Sequence, residues 1–187
     1  MRQLKNSLMI SGGLLLAVGA LPGWADDGFT KDLVDAVRGG KVGLDFRYRF
    51  EGVDQDDFSK DAEASTLRSR ISATSGSLYG FTALGEVDNV TVIGSDHYNS
   101  TVNGESQYPV VADPKGTAVN QVYLKYTADA ANGIYGRQQI NYSNQRFVGG
   151  VAWRQNEQTF DGFRANWQAL ESVNLDYSYA YRVHRVF

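Results

Sequence analysis

From Val42 onward the chain is written with a period of two, and that period limits what it can fold into. Val42, Leu44, Phe46, Tyr48 and Phe50 fall on one side of an extended segment, and Gly43, Asp45, Arg47, Arg49 and Glu51 fall on the other. Successive side chains of a strand point to opposite faces, so this segment has one apolar face and one charged face. Soluble strands more often back an apolar face with Thr and Ser. A row of apolar side chains opposed by a row of charges suits a strand with lipid on one side and water on the other.

The pattern recurs along the chain. An acidic loop, Asp54 to Glu63, follows the first strand. A second strand is expected from Ser65 to Thr74, with Leu67, Ser69, Ile71 and Ala73 opposite Arg68, Arg70, Ser72 and Thr74. Ser75, Gly76 and Ser77 make a tight turn. A third strand, Leu78 to Asp88, sets Tyr79, Phe81, Ala83, Gly85 and Val87 against Thr82, Leu84, Glu86 and Asp88; Leu84 stands on the polar side against the pattern. Residues 89–117, with Pro109 and Pro114, read as one long loop. The fourth strand is expected at Val119 to Ala128, a turn at Asp129 to Gly133, and a less regular fifth strand at Ile134 to Tyr142. A third long connection runs from Ser143 to Thr159. In the sixth strand Phe163, Ala165, Trp167 and Ala169 oppose Gly162, Arg164, Asn166 and Gln168. The seventh, Val173 to Phe187, sets Leu175, Tyr177, Tyr179, Tyr181 and Val183 against Asp176, Ser178, Arg182 and His184.

Connections thus alternate long and short. Outer-membrane barrels have this asymmetry, with short periplasmic turns and long external loops. The fold class expected is all-β: an antiparallel up-and-down outer-membrane β-barrel, here an incomplete meander of about seven strands after a signal peptide and a short helix. A soluble sandwich or barrel would also alternate, but its core would carry more Val, Ile and Leu and fewer Tyr; this chain has 11 Tyr, 9 Phe and 3 Trp.

Residues 1–25 read as an export signal. Arg2 and Lys5 precede an apolar run from Ser7 to Leu21, and Gly23-Trp24-Ala25 offers small residues for cleavage after Ala25. The run is too short for a spanning helix, which needs about 20 residues. Residues 26–40 are expected to hold a short lead-in helix, capped by Thr30, with Leu33, Val34 and Val37 as its apolar stripe and Gly39-Gly40 as its stop. Residues 41–187 form the barrel part. Without Arg2 and Lys5 the 18 Lys and Arg fall to 16 against 21 Asp and Glu, a net charge of −5. That balance argues against a nucleic-acid partner. With no cysteine, disulfide scaffolds and a lipid-modified cysteine are excluded. Mean hydropathy is −0.36 and no segment of the mature chain approaches 18 consecutive apolar residues, so no membrane helix is expected, but strands need apolar residues only at alternate positions.

Signals of catalysis are weak. The two histidines and absent cysteines make the usual zinc sets improbable, and no phosphate loop is present. Ser95, Asp96 and His97 are adjacent in sequence and cannot converge as a triad. The acidic loop matches no EF-hand spacing. No enzymatic activity and no cofactor are expected. The informative feature is sidedness of charge. The water-facing strand positions carry Arg47, Arg49, Arg68, Arg70, Lys125, Arg137, Arg164 and Arg182 against Asp45, Glu51, Glu86, Asp88 and Asp176. Guanidinium groups bind carboxylates in planar, two-pronged fashion, and rings of Arg and Lys select anions in pores. The alternative is that these arginines pair with the wall acids and keep the passage hydrated.

The stretch IYGRQQINYSNQRFVGGVAWRQNEQTFDGF, opening at Ile134, resembles the bacterial alginate-export outer-membrane porin family. The segments GKVGLDFRYRFEGV and LRSRISATSGSLYGFTALGEVDNV are similar to its first hairpins. Gly136-Arg137-Gln138, Asn144-Gln145-Arg146-Phe147 and Trp153-Arg154-Gln155-Asn156 are the more specific parts, and the likeness spans residues 40–187. The resemblance implies a large barrel in the cell outer membrane that passes solutes, in some members a uronate polysaccharide, through an arginine-lined lumen. It carries over Arg47, Arg49, Arg68, Arg70, Arg137, Arg146 and Arg154. Arg146 and Arg154 lie in the third long connection, which is expected to fold into the passage. Partners implied are outer-membrane lipid, an anionic saccharide or small anionic solute, and the barrel-assembly machinery, whose recognition signal the terminal Phe187 resembles. Family barrels are longer, and an odd number of strands closes no bacterial barrel, so a truncated sequence is expected. A general small-solute porin and a soluble periplasmic carbohydrate-binding module are the competing readings. An enzyme on a barrel would need a nucleophile beside a base, yet His184 and Ser178 are three alternations, about 20 Å, apart along the strand.

Overall fold

The computed structural model describes residues 27–186. The expected export signal, its cleavage at Ala25 and the terminal Phe187 lie outside the described residues. A helix, α1 (Asp27–Arg38), comes first. It begins three residues before Thr30, so Thr30 is inside the helix rather than its cap. Lys31 pairs with Asp35 one turn on at 2.8 Å. The Gly39 amide donates to the Asp35 carbonyl and the Gly40 amide to that of Val37, which closes the last turn. The helix docks through backbone: the Gly76 amide donates to the Ala36 carbonyl at 2.7 Å. A Cβ on Gly76 would lie 2.9 Å from that carbonyl, so only glycine permits this approach. The Tyr79 hydroxyl donates to Asp32 Oδ2 at 2.5 Å.

Seven strands follow: β1 (Lys41–Val53), β2 (Ala62–Thr74), β3 (Phe81–His97), β4 (Gly116–Thr127), β5 (Ala131–Gln138), β6 (Thr159–Leu170) and β7 (Val173–His184). They form one antiparallel sheet in sequence order, with β1 and β7 at its margins. The up-and-down meander read from the sequence is the architecture found. Its bounds differ in places. β3 runs nine residues past Asp88, because residues 89–97 pair with β2, Arg68 opposite Val90 and Glu63 opposite His97. The second long connection is therefore 98–115 rather than 89–117. β5 ends at Gln138, four residues before Tyr142, and the third long connection is correspondingly 139–158. Leu78 to Gly80 belong to the turn, where Tyr79 and Gly80 have φ of 51° and 85°.

Register fixes two faces. Phe46 opposes Ser69, Leu44 opposes Ile71, and Ile71 opposes Val87. Phe81 opposes Tyr126, Leu124 opposes Tyr135, and Tyr135 opposes Phe163. These side chains are largely uncovered, Phe46 at 66% and Tyr177 at 60% exposure. The other face carries Arg47 opposite Arg68, Asp45 opposite Arg70, and Arg70 opposite Asp88. Leu84 belongs to this face, opposite Thr74 and Tyr123. The sheet is thus inverted relative to a soluble domain, with apolar side chains outermost and the arginines of β1 and β2 largely covered. An uncovered apolar face of this extent is sustained in lipid and not in water. Among the described residues no helix is long and apolar enough to cross a membrane.

The largest apolar cluster lies at the far end of β1–β3, where the second connection folds back. Ala62, Ala64, Tyr98 and Val111 are buried there, with Val53, Val92 and Tyr108 packed beside them. Small residues on β2 let Tyr98 lie against the strand, and its hydroxyl donates to the Asp113 carbonyl at 3.0 Å. This packing aims Asp113 back at the sheet.

Candidate functional site

The charged face is filled by the third connection, residues 139–158. Its anchor is Gln155, which is fully buried. The Gln155 side-chain amide donates to the Thr66 hydroxyl at 2.9 Å and to the carbonyls of Thr66 and Arg47, while its oxygen accepts from Arg47 Nε at 3.0 Å. Its backbone amide donates to Asp113 Oδ1 at 2.8 Å. One glutamine thereby joins β1, β2 and the second and third connections. A neutral amide suits this position because it donates and accepts at once, which neither Glu nor Lys does when charged.

Around Gln155 the charges divide into two groups. In the first, Arg49 and Arg154 share Glu51 and face Asp113. Arg154 donates to Glu51 Oε2 at 3.0 Å, and Arg49 bonds the same oxygen. Asp113 Oδ2 lies 3.6 Å from Arg49 and 3.8 Å from Arg154, its side chain only 1% exposed. Trp153 stacks on these cations, its ring 4.1 Å from the Arg154 guanidinium carbon and 5.3 Å from that of Arg49. Cation–π contact of this kind orders both partners. Burial raises the Tyr98 phenol, whose neighbours Asp96 and Asp113 add to the effect, to about 12. It stays a hydrogen-bond donor to the Asp113 backbone.

In the second group Arg68 pairs with Asp45 at 2.6 Å, and Arg70 grips Asp88 with two bonds of 2.6 Å. Both arginines also meet Glu157, Arg68 at 3.3 Å and Arg70 at 3.0 Å. Arg70 lies 3.6 Å from Glu86, which accepts from Asn120 and Gln121. Arg47 opposes Arg68 in the register, and like charges side by side are unfavourable. Arg47 therefore turns to neutral acceptors, Gln155 and the Ala152 carbonyl at 2.9 Å.

The remaining sequence-designated residues lie apart. Arg164 pairs with Asp176 at 2.5 Å beside Tyr142, whose hydroxyl also meets Asp176 and Ser178. Arg137 donates to Asp161 Oδ1 at 2.9 Å, and Asp161 also holds His184 at 2.7 Å. Gly136, at a φ of 125°, interrupts the pleat before it, and the register sets Arg137 opposite Val122 and Asp161, outside the Arg68–Arg70 group. Lys125 and Arg182 form no ion pair among the described residues. Arg146 is not brought to the cluster: its guanidinium lies over Phe147, which is 92% exposed. Of the two connection arginines, Arg154 alone joins the strand arginines.

Sequence reasoning missed Asp113, Gln155 and Glu157 as members of the site, having assigned both acids to loops. The available signal was the apolar Val110-Val111-Ala112 run before Asp113, which marks a connection that packs rather than one that stands free. Ser95 Oγ lies 3.3 Å from His97 Nδ1, but Asp96 pairs with Lys115 at 2.9 Å, so these three do not form a relay. Among the described residues no cluster of three or more possible metal ligands is present.

The arrangement binds carboxylates. Guanidinium forks from β1, β2 and the third connection converge on carboxylate oxygens, some on the wall and some supplied by connections, with amides filling the gaps. Residues 40–182 match the model of a family described as alginate export. A comparison with curated proteins finds no match.

Proposed function

The chain belongs to the alginate-export family, a family of outer-membrane transport channels rather than of enzymes, and we propose that it builds the wall of an anion-conducting passage for uronate-type saccharides. The observation that carries this reading is the pairing of an uncovered aromatic and aliphatic face with a covered face of arginines. Lipid occupies the first, and the transported chain moves along the second. Arg47, Arg49, Arg68, Arg70 and Arg154 are the residues proposed to meet it, with Lys125, Arg164 and Arg182 further along the wall and Arg137 and Arg146 at its periphery. The two long connections that reach the charged face narrow the passage. Export through the periplasm and insertion by the barrel-assembly machinery belong to the same proposal.

A second reading, a general small-solute porin, is favoured by one specific observation: Arg68 and Arg70 are already satisfied by Asp45, Asp88 and Glu157. Paired cations offer less field to an anion than free ones. With Asp161, the partner of Arg137, counted beside the wall acids, Asp113 and Glu157, the wall cations with Arg154 still outnumber the acids by one, which leaves a small cationic surplus.

Blocking experiments separate the two readings. Oligouronate added to one side of a bilayer holding the pore is expected to reduce its conductance at concentrations where a neutral oligosaccharide of equal length has no effect. Equal block by both would favour the general porin. A protein released by osmotic shock, needing no detergent and showing no heat-modifiable mobility, would remove the membrane reading altogether.

A further inference from the structure

The best-formed polar site among the described residues is occupied by the protein's own side chain. Glu157, its side chain 5% exposed, presents one oxygen to Arg68 at 3.3 Å and Arg70 at 3.0 Å. The other oxygen accepts from the Gln139 amide and from Asn120 at 3.4 Å. Two cations on one oxygen and two amides on the other satisfy a planar carboxylate completely.

The donors and the occupant are held very differently. Arg68 is fixed by Asp45 and Arg70 by the two-pronged bond to Asp88. Asn120 is fixed by Glu86 at 2.8 Å, and the Gln139 backbone amide donates to Gln121 at 3.1 Å. Each donor residue thus has an anchor independent of Glu157, three of them on paired strands and Gln139 directly after β5. Glu157 itself comes from the irregular connection 139–158. A site whose donors are pre-positioned without its occupant can exchange that occupant.

We infer that Arg68, Arg70, Asn120 and Gln139 form a carboxylate-binding subsite that Glu157 fills from within, and that a uronate carboxylate of the passing saccharide takes the place of Glu157. This rests on the proposed passage of uronate chains. A tethered group acts at an effective concentration in the millimolar range, so a free monocarboxylate competes poorly. A polymer bearing a carboxylate on every sugar competes well, because each displaced residue is followed by another on the same chain. Neutral sugars cannot replace the charge between two arginines. Displacement of Glu157 loosens the connection that also carries Arg154 and Gln155, so the polymer opens the constriction that it must traverse.

The Arg154–Gln155 peptide bond reports the exchange, because Gln155 is fully buried while the connection is seated. Trypsin cleavage at that bond is followed by mass spectrometry on the detergent-solubilised full chain. Oligouronate is expected to accelerate cleavage of the wild-type protein by about tenfold or more, at carboxylate concentrations where monomeric glucuronate has little effect and a neutral oligosaccharide has none. In E157A the bond is cleaved rapidly without ligand, and acetate, but not acetamide, restores protection by refilling the vacated subsite. E157Q, which keeps the volume and loses the charge, replaces E157A should the latter fail to assemble, and it too is expected to be cleaved faster than wild type. No acceleration by oligouronate in the wild type overturns the inference. If that failure accompanies normal oligouronate block of conductance, the subsite is wrong and the channel reading stands. If oligouronate accelerates cleavage of the wild type but neither blocks nor passes the pore, the subsite stands and the channel reading falls.

Discussion

The backbone amide of Gln155 donates to Asp113 Oδ1 at 2.8 Å, and this single bond between residues 42 apart in sequence joins the second and third connections over the charged face of the sheet. Asp113 is brought there by the packing of Tyr98 and Val111 on Ala62 and Ala64. Gln155 is brought there by Thr66 and Arg47. The apolar cluster of one connection therefore positions the polar anchor of the other.

Gln155→Ala is expected to destabilise the protein by about 2 kcal/mol, since it leaves the buried partners on Arg47 and Thr66 without their hydrogen bonds. Hydrogen exchange checks it. Amides of residues 150–158 should lose protection while those of β1 and β2 keep theirs. Asp113→Asn should do less, because it retains an acceptor for Gln155 and removes only the charge between Arg49 and Arg154.

Arg70→Glu is expected to impair assembly strongly, on the order of 3–5 kcal/mol, because it breaks buried pairs and sets a fourth carboxylate among Glu86, Asp88 and Glu157. Arg182→Glu, at an exposed position without an ion pair among the described residues, should assemble normally. Folded yield by heat-modifiable mobility distinguishes them. The sequence alone suggests that Arg68 and Arg70 could be reversed in charge without harm because they face water; the structure shows both covered and paired.

On the opposite face, Phe46→Arg should cost roughly 2–4 kcal/mol if the position lies near the bilayer midplane. Unfolding from lipid vesicles measures it. A cost near zero would mean that this face meets water.

The Tyr98 phenol, pushed up to about 12 by burial and by Asp96 and Asp113, gives a pH signature. Its folded value lies above the ordinary value near 10, so its contribution to stability is fully present below about pH 10 and is lost as pH rises through about 12. Difference absorbance between wild type and Tyr98→Phe should show the extra phenol ionising near 12. Ionisation near 10 would contradict the packing of the second connection.

The two faces of the strands were legible because lipid and water impose opposite residue types at a period of two, as in Leu44, Phe46 and Tyr48 against Asp45, Arg47 and Arg49. The extension of β3 was not. Asn89 and Asp96 have the composition of a loop, and pairing with β2, joined at Asn89 by β4, makes them strand. Arg146 and Arg154 look alike in sequence, eight residues apart in one connection. What separates them is long-range: Glu51 and Asp113 hold one, and among the described residues no carboxylate reaches the other. The carboxylates that enter the arginine group were illegible for the same reason, because the partner of a loop acid is decided by packing and not by its neighbours in the chain.

Reversal potentials in planar bilayers under a salt gradient test directly whether the charged face lines a passage for anions. Cationic side chains along a narrow passage raise the local anion concentration, and salt screens the effect as the screening length falls from about 10 Å at 0.1 M to about 3 Å at 1 M. The pore is expected to prefer anions at low salt, with the preference shrinking as salt is raised. A pore that prefers cations at low salt would contradict it, since Glu157, Asp113 and the wall acids would then outweigh the arginines.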